Sequence, residues 1–249
     1  MLGEGSVKNK GNNRVYILDA LRGIAVCGMI FHHGYVLLNF TKGITFSFFS
    51  STLFEVLQML FVSVFLLVSG ICTNYSRSTA KRGAVIFGAA LLITAVTAVF
   101  LPLFGIYGLE IYFGILHMFG LSMLLYACIR PILKRCNPTL ICTFCVLLFI
   151  GQSVWMEFVP FANDPYNILM IFGFPSKNFY SADYYPLFPY FFMFVTGTAI
   201  GRWVRQGNFP NWFYRFRTPF FEFIGRHSLL IYLLHQPIIF GIIMLASLF

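Results

Sequence analysis

Asp19, Arg22, His32 and His33 all lie within RVYILDALRGIAVCGMIFHHG, residues 14–34, a run apolar enough to sit in a lipid bilayer. Ionisable side chains inside a membrane helix are costly and mark substrate paths, proton relays or reacting groups. On a helix, positions 11 apart return to within about 20° of the same face. Arg22 and His33 have that spacing, and Asp19 stands within about 40° of His33. His32 lies about 80° from Arg22 and reads as a bystander. Asp19, Arg22 and His33 therefore share one stripe, with about 16 Å between Arg22 and His33. Such a stripe suits a long ligand whose anionic end rests on Arg22. The structural alternative is an Asp19–Arg22 pair that staples helix ends.

Two further apolar runs carry polar residues. Glu110, Gly114 and His117 fall in the fourth, where Glu110 and His117, seven apart, are expected to share a face. The last run reads FEFIGRHSLLIYLLHQPIIFG, residues 221–241. Ser228, Tyr232 and His235 project there within about 60° of one another, with Arg226 and His227 near the start. Pro237 has no N–H, so it is expected to kink the helix and free the carbonyl of Leu233. Three histidines in three helices, His33, His117 and His235, from a chain with only 5, point to a shared polar cavity.

The elements that must position these residues follow from composition. The chain has 249 residues, of which 59% are hydrophobic and 10% charged, with 32 phenylalanines. Soluble domains run at about 25% charged, and a soluble fold of this length could not hide so much apolar surface. The expectation is one all-α integral membrane domain over 1–249, with 1–13 a flexible basic N-terminus. The N-terminus shows no cleavable signal pattern, so the first membrane helix is expected to serve as its own insertion signal. At roughly 20 apolar residues per span, seven spans are expected, near 15–38, 53–74, 83–103, 109–129, 138–155, 186–204 and 220–248. Long continuous runs exclude an alternating-strand barrel.

Charge gives the orientation. Lys8, Lys10 and Arg14, then Arg77, Lys81 and Arg82, then Arg130, Lys134 and Arg135, then Arg202, Arg205, Arg215 and Arg217 fall on one side. Only Lys42 and Lys177 fall on the other. Basic loops stay cytoplasmic, so the N-terminus is placed inside and the C-terminus outside. This asymmetry accounts for the net charge of +9 with no nucleic-acid partner. Cys142 and Cys145 form a CxxC inside an apolar run, with no second Cys or His pair at zinc spacing, so packing is expected and no metal. The outer loop near 156–185 holds Glu157, Asp164 and Asp183 amid tyrosines, as in NDPYN and SKNFYSADYYPLFP. It reads first as an interfacial aromatic belt, and second as a lid or carbohydrate platform.

RVYILDALRGIAVCGMIFHH resembles the opening R-x4-D-x-x-RG signature of the transmembrane acyltransferases. Together with LFVSVFLLVSGICTNYSRS, KRGAVIF, IYFGILHMFGLSMLL, DYYPLFPYFFMFVTGTAIGR and IGRHSLLIYLLHQP it resembles the bacterial DUF1624 group, allied to the catalytic domain of heparan-alpha-glucosaminide N-acetyltransferase. The likeness spans about residues 14 to 240. It implies acetyl transfer across a membrane, from cytoplasmic acetyl-CoA to an amine or hydroxyl of an extracytoplasmic sugar or glycan. The chain is then a multi-pass protein of the plasma (inner) membrane. The lysosomal enzyme of the family has a luminal domain and more spans, and its implicated histidine lies in the first non-cytoplasmic loop. The corresponding loop here, about 39–52, has no histidine.

The helical stripe accordingly makes His33 the expected reacting residue, with His117 and His235 in a second or orienting role and Asp19 anchoring the cytoplasmic end. Arg22 and Arg226, each beside a glycine, are the expected phosphate or pantetheine partners. Gly23, His227, Ser228 and Tyr232 complete the expected CoA site. A histidine either deprotonates the acceptor or takes the acetyl group itself. The competing readings are a transporter with a buried Asp/Arg/His relay and a non-catalytic membrane assembly factor. Gly, Ala and Ser in several spans would also permit a homodimer.

Overall fold

A bilayer core offers no water to backbone N–H and C=O groups, so the apolar runs must satisfy them within helices. The computed structural model describes residues 14–158, 164 and 166–246, and no strand occurs among them. The basic stretch expected over 1–13, with Lys8 and Lys10, lies outside the described residues, as does the side chain of Glu157. The chain divides into two compact units, one of residues 1–42 and 209–249, the other of residues 43–208.

The first unit joins both ends of the chain. Its helices are α1 (Tyr16–Lys42), α7 (Asn211–Arg215), α8 (Pro219–Arg226) and α9 (Ser228–Leu245). α1 packs along α8 and then α9. The span expected at 220–248 is thus two helices. His227 leaves helical geometry at φ −101°, ψ 17° and separates them. α9 continues through Pro237 to Leu245.

The second unit contains α2 (Thr52–Cys72), α3 (Thr79–Ala95), α4 (Ile115–Leu133), α5 (Pro138–Phe158) and α6 (Leu187–Gln206). α3 runs on through a π-helical stretch, Val96–Phe100, to Leu103. Ser51 and Ser78 cap α2 and α3 by accepting from the N–H groups of Phe54 and Lys81. Gly207, at φ 82°, ends α6 in the left-handed region that favours glycine. α6 is central and packs on α2, α4 and α5. Gly70 and Gly197 let α2 and α6 approach to backbone contact, since a Cβ on either would strike the other helix's carbonyls, Phe194 O and Leu67 O. Phe194, Leu66 and Met118 are fully enclosed there.

Among the described residues six helices are long and apolar enough to cross a membrane. The expected sixth span forms as α6 but is diluted by Pro189, Thr196, Gly197, Thr198 and Arg202, and it is not among those six. The expected fourth span begins later than 109. Residues up to Gly114 are non-helical, and Gly114 caps α4 from an extended conformation. The outward faces of α3, α5 and α9 are apolar, with Leu92, Phe144 and Ile242 exposed, as a lipid-facing surface requires.

Candidate functional site

In the first unit α1 and α9 bring His33 and His235 together, with ring centroids 5.1 Å apart. Both residues are buried. Nδ1 of His235 bonds to the carbonyl of Tyr232. A carbonyl only accepts, so Nδ1 carries the proton and Nε2 presents its lone pair. That Nε2 is buried with no hydrogen-bond partner. The amide nitrogen of Gln236 donates to Nδ1 of His33 at 3.3 Å, which leaves the His33 proton on Nε2. The pair therefore holds one imidazole as an acceptor and its neighbour as a donor. His32 lies edge-on to His33, 5.3 Å between centroids, and is half-buried.

At the start of α1, Asp19 accepts from Arg14 Nε at 2.7 Å and from Arg22 Nη1 at 3.5 Å. Arg226 Nε lies 4.0 Å from the same carboxylate. Arg226 also reaches Glu222 at 3.2 Å, and Arg217 meets Glu222 at 2.9 Å. The Arg217 guanidinium lies 3.7 Å over the ring of Tyr16. Burial alone would raise the Glu222 carboxyl. The bonds from Arg217 and the Thr218 N–H, with the charge of Arg226, outweigh it and hold the group below its usual range. Four arginines thus surround two carboxylates, an excess of positive charge at this end of the unit.

Gly23 and Gly225 set the α1–α8 crossing. A Cβ on Gly23 would meet Phe221 O, and one on Gly225 would meet Asp19 O. Arg22 Nη1 reaches the Gly225 carbonyl at 3.4 Å across this crossing. His227 bonds through Nδ1 to Phe223 O and lies against the Phe223 ring, 4.5 Å between centroids and tilted by 44°. Ser228 opens α9, and Tyr232 stands one turn on, its ring 5.3 Å from His235.

His117 belongs to the second unit and has its own partners. Its Nδ1 accepts from the Gly114 N–H at 3.2 Å, and its Nε2 meets Thr94 Oγ1 at 3.0 Å. Both ring nitrogens are satisfied, so the residue caps α4. The expected Glu110–His117 face does not form, because Glu110 precedes the helix and accepts from the Gly108 N–H at 2.9 Å. The described residues of the loop near 156–185 are similarly committed. Asp183 accepts from Ile115 N and Asp164 from Leu169 N. Tyr184 and Tyr180 donate to the carbonyls of Met170 and Gly108, and Gln58 donates to Tyr185 at 2.7 Å. Burial, with the Asp183 charge adding to it, pushes the Tyr185 phenol well above its ordinary range. Among the described residues no group of three His, Cys, Asp or Glu could hold a metal ion.

Glu222 and Gln236 were not singled out from the sequence. Glu222 stands four before Arg226 and five after Arg217 in an apolar run, a spacing that signals ion pairing. Gln236 adjoins His235, and no sequence signal directs it to His33.

A polytopic helical membrane protein with a buried histidine pair defines the class. The model of one family, heparan-alpha-glucosaminide N-acetyltransferase, catalytic, matches residues 14–237. The chain belongs to that family, one of transmembrane acetyltransferases. No match was found among curated proteins or among solved structures.

Proposed function

We propose that the protein transfers acetyl from cytoplasmic acetyl-CoA to an amine or hydroxyl of an extracytoplasmic sugar or glycan. It would act as one acyltransferase domain in the plasma (inner) membrane, with α6 as a seventh span and the basic N-terminus inside. The reading rests on family membership, and the observation that carries it to a mechanism is the unpartnered Nε2 of His235 beside His33. His235 Nε2 accepts the proton as the acceptor's nitrogen or oxygen attacks the thioester carbonyl carbon. The Nε2–H of His33 stabilises the oxygen that gains charge. The C–S bond breaks, and the thiolate leaves with the proton returned from His235.

The arginine excess around Asp19 and Glu222 favours the CoA phosphates, with Arg22, Arg226 and His227 nearest. Gly23 acts by allowing the helix crossing that orients Arg22. Ser228 and Tyr232 line the approach to His235. His117 supports α4 rather than the reaction.

The test is acceptor-dependent release of free CoA by purified protein in nanodiscs, with acetyl-CoA and glucosamine. The expected outcome is release that falls at least ~100-fold in His235→Ala and in His33→Ala. Absence of both turnover and acetyl-CoA binding in a folded preparation would overturn the reading. The histidine pair would then fit a proton relay in a transporter.

A further inference from the structure

The second unit has a cleft of about 390 Å³ lined by Asn74, Tyr126, Lys134, Thr198, Arg202 and Arg205, among others. Three cations face it and no carboxylate does. Among the described residues no ion pair engages Lys134, Arg202 or Arg205, so these charges are uncompensated.

The two arginines are held in place. Arg202 Nη1 donates to Cys136 O at 2.8 Å and to Leu133 O at 3.4 Å, just past and at the end of α4. Arg205 Nη1 donates to Asn74 O at 3.2 Å. Each guanidinium spends one nitrogen on a carbonyl that fixes its place, which leaves other N–H donors for a ligand. Lys134, one residue past α4, is exposed and adds a third cation. The floor is polar and buried: Asn74 Nδ2 donates to Thr198 O at 2.9 Å, and Thr198 and Tyr126 are buried. Leu133, Ile141 and Ala199 give the cleft an apolar wall.

Uncompensated like charges converging on one concave site repel each other, and an anion relieves that repulsion. Guanidinium forks match the tetrahedral oxygens of a phosphate. The apolar wall suits an organic group beyond the phosphate. We propose that this cleft binds the phosphate ester of an organic anion. Two sources share that chemistry, the nucleotide end of a soluble phosphate ester and the headgroup of an anionic phospholipid. The site stands on the second unit alone and does not depend on the acetyl-transfer reading.

The test uses the full chain in phosphatidylcholine nanodiscs, with 3′-phosphoadenosine 5′-diphosphate and inorganic pyrophosphate as probes. A parallel set of nanodiscs contains phosphatidylglycerol. Thermal midpoint and calorimetric affinity are read for the native chain, for Lys134→Gln and for Arg202→Gln/Arg205→Gln. Lys134 is exposed, so its variant remains interpretable if the double variant fails to fold. Probe binding weakened several-fold by Lys134→Gln and more than tenfold by the double change supports a soluble ligand. A midpoint raised by phosphatidylglycerol in the native chain but less in Lys134→Gln supports a lipid headgroup. No response to either source, or equal responses in the native chain and Lys134→Gln, overturns the proposal. Turnover and acetyl-CoA binding are measured separately, so absence of both with the Lys134-dependent response intact refutes the acetyl-transfer reading and not the cleft.

Discussion

Gly23 and Gly225 hold one crossing point from opposite sides, each with the backbone of the other's helix where its own Cβ would stand. Through that contact α1 and α8 approach closely enough for Arg22 to reach the Gly225 carbonyl and for Asp19 to meet Arg226. Helix packing within a membrane depends on such close approach, since lipid is as apolar as a leucine side chain.

Alanine at either glycine must push the helices apart. Gly23→Ala and Gly225→Ala are each expected to cost about 1–3 kcal/mol or more, seen as a lower thermal midpoint in detergent. Gly34→Ala is the control, because its Cβ would meet only Ile239 Cδ1 at 4.0 Å. A midpoint for Gly225→Ala equal to that of Gly34→Ala would contradict the crossing.

His117 and His235 should separate by readout. His117→Ala strands the Gly114 N–H, and an unsatisfied buried donor costs about 1–3 kcal/mol. The expected result is a lower thermal midpoint with turnover per folded molecule retained. Loss of turnover at an unchanged midpoint would move His117 into the reaction.

Gln236 is expected to act through His33. Gln236→Ala removes the donor that fixes the His33 tautomer. Turnover should fall by roughly tenfold with the midpoint preserved, an effect of the size seen for groups that orient a reacting residue. The pH profile of kcat should also change shape, and an unchanged profile would leave Gln236 as packing.

Acid should loosen the first unit. The Glu222 carboxyl is held below its usual range in the fold, so its stabilisation is present above the unfolded value, near 4.5, and is lost as pH falls through the lower folded value. The thermal midpoint should therefore drop below about pH 4.5, and Glu222→Gln should flatten that part of the curve. A native midpoint independent of pH down to the folded value would show that the Arg217 and Arg226 pairs contribute nothing.

The apolar runs alone reveal an all-helical membrane protein, because length and hydropathy suffice to mark spans. Boundaries are less legible where local chemistry intervenes. His227 divides the last run, and Gly114 with His117 delays α4, since a cap depends on three-dimensional partners. The Arg22–His33 stripe gives the face of α1 that turns inward, with Asp19 and His33 both buried. Pairing of His33 with His235 joins residues about two hundred positions apart, which helical periodicity within one segment cannot reveal. Glu110 illustrates the converse, a face inferred from helical spacing in a segment that is not helical.

The first unit also bears on how the protein is made. α1 is synthesised well before Phe221, Gly225, Arg226, His235 and Gln236, which cover its inward face. Until then the nascent helix carries Asp19 and His33 without the Arg226 and Gln236 groups that meet them in the fold. Packing of the first unit is therefore completed only once both of its segments have been made. A chain lacking α8 and α9 would leave the face of α1 that carries His33 uncovered, a natural signal for membrane quality control.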